Sequence, residues 1–105
     1  LAVNLPNEGQ IENLPLGAIV ETSGHISGLG AKGVSVGALP AGIAELYRRE
    51  LAVVRLAVDA AATGDRQLAL QCLLLDPVIS DLDVAKEVLD DYLTSYKNYL
   101  PQFWK

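Results

Sequence analysis

The spacing of apolar and polar positions changes near residue 38. Before it, short apolar runs alternate with turn-forming residues, and seven of the nine Gly lie there. Such a pattern is typical of strands joined by turns. Beyond it, apolar residues recur every three or four positions, which predicts amphipathic helices. We therefore predict strands and turns over 1–38 and helices over 39–100.

The first third contains short apolar runs that predict strands. They cover 1–5, 11–14 and 18–22, and a shorter alternating run covers 34–36. The runs at 18–22 and 34–36 are expected to pair as a hairpin. The glycine-rich link over 23–33 is expected to be mobile or wrapped around a partner.

Three helices are predicted after Pro40, which suits the first turn of a helix. Gly64 is expected to end the first helix, and Asp65 to cap the second, a short buried helix over 68–75. Ser80 with Asp83 resembles a capping box at the start of the third. The apolar faces predicted for the first and third helices consist of Ile43, Tyr47, Leu51, Val54, Val58 and Ala61, and of Val84, Val88, Tyr92 and Tyr96.

Strands followed by helices indicate the α+β class, with three helices packed on one face of a small antiparallel sheet. One domain, covering 1–105, is the natural count at this length. A sheet made only of these strands is thin, and Leu1-Ala2-Val3 already predicts a strand. We therefore expect this chain to be the C-terminal part of a longer protein whose upstream residues supply the missing strands.

Composition and charge narrow the classes of partner. The net charge is −5 and the pI is about 4.6, which argues against binding nucleic acid. No apolar run approaches the roughly 18 residues that span a bilayer. The single Cys excludes an internal disulfide and fits the cytoplasm. We expect neither nucleic acid nor membrane as a partner.

Asparagine side chains surround a glycine turn near the start of the chain. Asn4, Asn7 and Asn13 lie on either side of Gly9. Amide groups offer donors and acceptors together, so they can hydrogen-bond sugar hydroxyls. Asn also tolerates turn geometry and bonds the local backbone. The sequence leaves both interpretations open.

Other reactive side chains form no recognisable site. His25 and Cys72 are the only imidazole and the only thiol, whereas a metal site needs several convergent ligands. We interpret His25 as a loop residue and Cys72 as a small core residue. Glu50 lies near the apolar face of the first helix, either at its rim or paired with an Arg of this or another chain. The aromatic residues at 99–104 either anchor the tail to a neighbouring domain or subunit or form a loose end.

An ordered set of short motifs resembles the C-terminal region of the family-4 glycoside hydrolases. The resemblance spans essentially the whole chain, and it is the order of the motifs that makes it specific. The motifs are VNLPNEGQIENLP at 3–15, AIVET at 18–22, VGALP at 36–40, LAVDAAATGD at 56–65, ALQCLLLDP at 69–77 and YLP at 99–101. They look closer to the α-galactosidase, α-glucosidase and α-galacturonidase members than to the 6-phospho-glucosidases.

The resemblance implies an incomplete C-terminal domain like that of lactate and malate dehydrogenases, in a cytoplasmic homo-oligomeric enzyme. Such enzymes are an exception to hydrolysis by a carboxylate pair. Bound NAD oxidises C3 of the sugar, a divalent metal, typically manganese, stabilises the enediolate, and a base removes the C2 proton. The glycosidic oxygen leaves, water adds, and NADH returns the hydride.

In the family, the Rossmann portion and the metal and acid/base residues lie upstream of the matched segment. The resemblance therefore assigns no catalytic, cofactor or metal residue here, and we expect this chain alone to be inactive. Asn4, Asn7 and Gly9 are expected to border the sugar pocket. The alternative is a non-catalytic oligomerisation or interaction module.

Overall fold

The chain folds into strands followed by helices, as seen in a computed structural model that describes all 105 residues. This confirms the α+β class. The elements are β1 (Ala2–Pro6), β2 (Ile19–Ser27), β3 (Gly30–Gly33), α1 (Ala41–Thr63), α2 (Arg66–Leu75), α3 (Leu82–Ser95) and a 3₁₀ helix (Pro101–Trp104). The residues divide into two compact units, Leu1–Arg48 and Arg49–Lys105.

The first unit contains a three-stranded antiparallel sheet in the order β1-β2-β3. Along β2, Val20, Thr22 and Gly24 are buried and their neighbours are exposed, so the strand follows the period of two. Gly24 is needed because Val3 fills the space beside it. A Cβ at position 24 would lie 2.3 Å from a methyl carbon of Val3.

The expected hairpin partner of β2 was wrong. The C-terminal half of β2 pairs with β3 instead, from Gly24 opposite Gly33 to Ser27 opposite Gly30. The segment over 23–33 is therefore an ordered hairpin, while 34–36 and the apolar run at 11–14 form no strand. Strand pairing uses backbone N–H and C=O groups, which glycine supplies as well as any residue. A search for alternating side chains does not detect such a strand.

The predicted boundary between α1 and α2 is confirmed. Gly64, with φ of 72°, follows the last residue of α1. Asp65 caps α2, because its carboxylate accepts hydrogen bonds from Gln67 N at 2.8 Å and Leu68 N at 3.2 Å. The helix is not buried as expected, since none of its residues is fully enclosed.

The capping residue of α3 is Asp81, not Ser80. The Asp81 carboxylate accepts from Asp83 N at 2.9 Å and Val84 N at 3.0 Å. The helix begins one residue later than the predicted capping box requires. Both residues are favourable caps, so the sequence pattern alone did not separate them.

The predicted apolar faces of α1 and α3 are largely exposed. On α1, Val54 and Val58 are each 59% exposed, whereas Ala60 is 3% exposed. On α3, Tyr92 is 63% exposed, while the adjacent Leu93 is 3% exposed. The stripes that were expected to form the core are therefore available to a partner. None of the helices is long and apolar enough to cross a bilayer.

The C-terminal tail packs on the second unit and is therefore not a loose end. The Gln102 side-chain amide donates to Ala61 O at 2.9 Å. The Trp104 ring lies 5.0 Å from the Arg66 guanidinium carbon and 4.5 Å from the Lys97 ammonium nitrogen. Cation–π contacts of this kind hold the aromatic ring in place.

Candidate functional site: the asparagine loop and its groove

The loop over 7–15 is built around the buried side chain of Asn7, which is 1% exposed. Its Oδ1 accepts hydrogen bonds from Gly9 N at 3.2 Å and Ile11 N at 3.1 Å. Its Nδ2 donates to Ile11 O at 2.9 Å, Leu14 O at 3.1 Å and Pro15 O at 3.2 Å. One amide thus binds both ends of the loop.

The backbone of Asn7 is also bonded within the loop. Asn7 N donates to Ala18 O at 2.7 Å, and Asn7 O accepts from Gly17 N at 2.8 Å. Every polar atom of the residue therefore has a partner inside the protein. The contacts favour the interpretation that Asn7 bonds the local backbone, and they leave its side chain no free group for a sugar hydroxyl.

Gln10 supports the same loop, although the sequence did not single it out. Its side chain donates to Pro6 O at 3.0 Å and accepts from Glu8 N. Its backbone O accepts from Val36 N at 2.8 Å. Gln10 is 8% exposed, and a buried amide of this kind is retained for its hydrogen bonds. The only sequence signal for it is its position next to the glycine turn.

Asn13 ties the loop to the segment that leads into α1. Its amide forms a two-bond pair with Leu39, in which Nδ2 donates to the backbone O and Oδ1 accepts from the backbone N, both at 2.8 Å. Arg48 adds a third link by donating to Asn13 O at 2.6 Å. Like Asn7, Asn13 bonds backbone and acts structurally.

A small groove of about 280 Å³ lies beside the loop. Its lining residues are Leu5, Pro6, Glu8, Gly9, Gln10, Ala31, Lys32, Gly33 and Ser35. The groove carries a carboxylate, an ammonium group and a hydroxyl. Its volume lies near the lower end of small-molecule sites. It therefore suits a small polar ligand or one end of a larger one.

The three predicted border residues occupy different places around this groove. Gly9 lines it and has φ of 109°, a conformation that favours glycine. Asn7 belongs to the same loop but is buried. Asn4 lies on β1 opposite Glu21, is exposed, and is not among the lining residues. The structure thus brings Gly9 and Asn7 together in one loop and leaves Asn4 outside the groove.

The remaining reactive side chains do not assemble a metal centre. His25 is exposed on β2 opposite Lys32 and lies in a strand rather than the loop expected for it. Cys72 is half-buried on α2 and its thiol donates to Val53 O at 3.4 Å. Burial raises the pKa of the Cys72 thiol, and the Asp76 carboxylate raises it further. No three His, Cys, Asp or Glu side chains cluster as ligands, so these residues do not fit a divalent metal.

A family model described as the "Family 4 glycosyl hydrolase C-terminal domain" matches residues 1–79. The chain belongs to this family. The matched residues include the whole asparagine loop, the sheet, α1 and α2, so the family assignment covers the groove as well as the fold.

Curated relatives of this family 4 chain act on different sugars. A probable 6-phospho-beta-glucosidase of Bacillus subtilis is 37% identical over 97% of this chain and 23% of its own length. An alpha-galacturonidase of the same organism is 39% identical over 87% of this chain and 21% of its own length. The chain thus spans less than a quarter of these relatives. The expected closeness to the non-phosphorylated group stays a prediction.

Solved structures share the fold of this family 4 chain. A 6-phospho-alpha-glucosidase from gut microorganisms, in complex with NAD and glucose-6-phosphate, is 34% identical with a TM-score of 0.90 over 97% of this chain and 23% of its own. A second such enzyme, in complex with NAD and Mn²⁺, is 30% identical with a TM-score of 0.87 over 92% of this chain and 22% of its own. These chains extend well beyond the matched domain.

Proposed function

We propose that this chain is the C-terminal part of a glycosidase that cleaves α-glycosides by NAD-dependent oxidation, elimination, addition and reduction with a divalent metal. The observation that carries the proposal is the family match over residues 1–79. The cofactor and catalytic residues belong to an N-terminal Rossmann portion of the same protein. The parent enzyme is cytoplasmic and homo-oligomeric, and its substrate is a small sugar.

The cofactors of the parent enzyme are NAD and manganese. Similar enzymes crystallised with NAD and Mn²⁺ support this part of the proposal. The 105 residues hold no clustered metal ligands. By resemblance to the family, the metal and the dinucleotide are assigned to the upstream portion, and this domain contributes one wall of the substrate side.

Within that wall, the loop with Asn7 and Gly9 borders the substrate pocket, and Asn4, the third residue expected there, lies exposed on the adjoining strand β1 outside the groove. Gly9 lies at the groove itself. Asn7 acts from beneath by holding the loop with its five side-chain hydrogen bonds. The groove presents Lys32 and Ser35, whose polar groups suit hydroxyl or anionic substituents of a sugar.

The reaction is tested on the full-length natural protein with nitrophenyl α-glycosides. Turnover is expected to require NAD and manganese and to stop in EDTA. In D₂O the released sugar is expected to carry deuterium at C2, because the proton removed from C2 is replaced by a deuteron from the solvent. Metal-independent turnover with no deuterium at C2 would exclude this mechanism. The 105-residue chain alone is expected to bind no NAD and to cleave no glycoside.

The role of the loop is tested by Asn7→Ala in the full-length enzyme. We expect kcat/KM to fall at least about tenfold, because a displaced loop misplaces the pocket wall. Asn98→Ala is the matched control, since Asn98 is exposed and lies outside the loop. An unchanged kcat/KM for the folded Asn7 variant would remove the loop from the site.

A second candidate is a non-catalytic oligomerisation or interaction module. The exposed apolar residues of α1 and α3 favour it, because such surfaces mark protein interfaces. The natural polypeptide separates the two candidates. A glycine-rich βαβ start and a Cys/His pair upstream of Leu1 support the enzyme, whereas their absence supports the module.

A further inference from the structure

One exposed face of α1 combines apolar side chains with a carboxylate. Glu50, Val54 and Val58 are spaced four residues apart and therefore lie on the same face of the helix. Val54 and Val58 are each 59% exposed, and Glu50 is exposed as well. We call these three residues the α1 stripe. Ile43 and Tyr47 continue the same helical face toward the start of α1.

Glu50 has no ionic partner in the chain. The ion pairs join Glu45 with Arg48, Arg55 with Asp59 and Arg66 with Asp90. The other arginine of α1, Arg49, donates to Leu75 O at 2.8 Å. Arg48 and Arg55 are thus in ion pairs with other carboxylates, and no cation of the chain lies within ion-pair distance of Glu50. A partner that covers the α1 stripe has to supply a cation or leave a buried charge unpaired, which is costly.

A second copy of α1 does not meet this requirement. An antiparallel symmetric pairing that places Tyr47 against Val54 and Ile43 against Val58 would put the two Glu50 carboxylates beside the twofold axis. Like charges at that point repel, and Arg48 and Arg55 of each copy are already in ion pairs with Glu45 and Asp59. The occupant is therefore a different surface, apolar in character and carrying a cation.

We propose that the α1 stripe is the docking surface for the N-terminal portion of the same polypeptide, which places an arginine or lysine against Glu50. The inference rests on the proposed function, because relatives are more than four times the length of this chain and their extra residues supply such a portion. The cation gives the contact its orientation, and the valines give it apolar area.

Carboxylate labelling of the full-length natural protein tests this directly. The protein is treated with a carbodiimide and glycine ethyl ester, and the labelled glutamates are quantified by mass spectrometry. Glu87, exposed on α3, serves as the internal control. Glu50 is expected to react at least tenfold more slowly than Glu87, independently of protein concentration. Equal rates would overturn the proposal, and protection that disappears on dilution would assign the surface to a second copy.

A substitution gives the second measurement. Val54→Asp in the full-length protein is expected to lower the midpoint of thermal unfolding by several degrees without changing the molecular mass. Val78→Asp is the matched control, because Val78 is 87% exposed outside the helices, and its midpoint is expected to stay within about one degree. Equal shifts for the two variants would contradict the docking surface.

The glycosidase assay on the same samples keeps the two proposals apart. An active enzyme with a freely labelled Glu50 would contradict the docking surface and leave the proposed function intact. An inactive protein with a protected Glu50 would contradict the proposed function and support the docking surface. A natural polypeptide without an N-terminal portion would overturn the docking surface.

Discussion

At the scale of single residues, the first unit buries polar side chains, namely Asn7, Gln10 and Thr22, beside its hydrophobic ones. The largest fully buried side chain in the chain is the amide of Asn7, not a hydrophobic group. Its donors and acceptors replace the backbone pairing that a loop lacks. Buried polar groups of this kind are stabilising only when all their bonds are made. The asparagine loop therefore depends on one residue more than on any apolar contact.

We expect Asn7→Ala to lower the free energy of unfolding by at least about 3 kcal/mol, because it leaves several buried backbone groups without partners. Urea unfolding followed by circular dichroism measures the change. Asn4→Ala is the control, because Asn4 is exposed and forms no side-chain hydrogen bond. It should change stability by less than about 0.5 kcal/mol. Similar losses for both variants would contradict the role of Asn7.

At the scale of elements, the residue between α1 and α2 also determines how closely the C-terminal tail can pack. Gly64 separates α1 from α2 and also lies against the tail. A Cβ there would be 2.1 Å from Gln102 O and would have to shift the backbone. The end of α1 and the docking of the 3₁₀ helix thus depend on the same glycine.

Gly64→Ala is expected to cost at least about 1–2 kcal/mol, because it adds a left-handed strain to a backbone clash. Gly42→Ala is a matched control inside α1, where an added Cβ meets nothing within 4 Å. It should stabilise the protein by up to about 1 kcal/mol, since alanine favours the helix. Thermal unfolding checks that the two substitutions shift the melting temperature in opposite directions. Equal shifts would contradict the close contact between Gly64 and Gln102.

The cap of α3 gives a second prediction at this scale. Asp81→Ala should cost about 1 kcal/mol, because it removes two hydrogen bonds to the first turn of the helix. Ser80→Ala should change stability by less than about 0.5 kcal/mol. Chemical unfolding distinguishes the two residues. A larger loss at Ser80 would restore the capping box that the sequence suggested.

At the scale of the whole molecule, the buried core is small. Its buried hydrophobic residues are Val3, Ile11, Leu14, Val20, Ala44, Ala60, Ala85 and Leu93. Three of these eight are alanines, and only one large apolar side chain of the three helices, Leu93, is fully buried. Little apolar area is therefore removed from water, which limits the stability of the isolated chain.

We expect the isolated 105-residue chain to bind the dye ANS and to unfold with low cooperativity, because its apolar helix faces are uncovered. The full-length protein should bind little dye and unfold more sharply. ANS fluorescence and urea titration compare the two at equal molar concentration. A sharp transition without dye binding in the isolated chain would show that these faces need no partner.

The sequence predicted much of the secondary structure and little of the packing. Helix ends at Gly64 and Asp65 were correct because their physical causes are local. The strand at Gly30–Gly33 was missed because its pairing depends on backbone groups rather than on a side-chain pattern. Gln10 was missed because burial of a single polar side chain has no periodic signature.

Local chemistry in the sequence determined the α+β order, the boundary between α1 and α2, and, through its ordered motifs, the family. The tertiary structure decided the rest. It showed that Asn7 bonds backbone inside the loop and that the apolar faces of α1 and α3 are exposed. The physical reason is that periodicity identifies an apolar face, whereas only the folded neighbours determine what covers it.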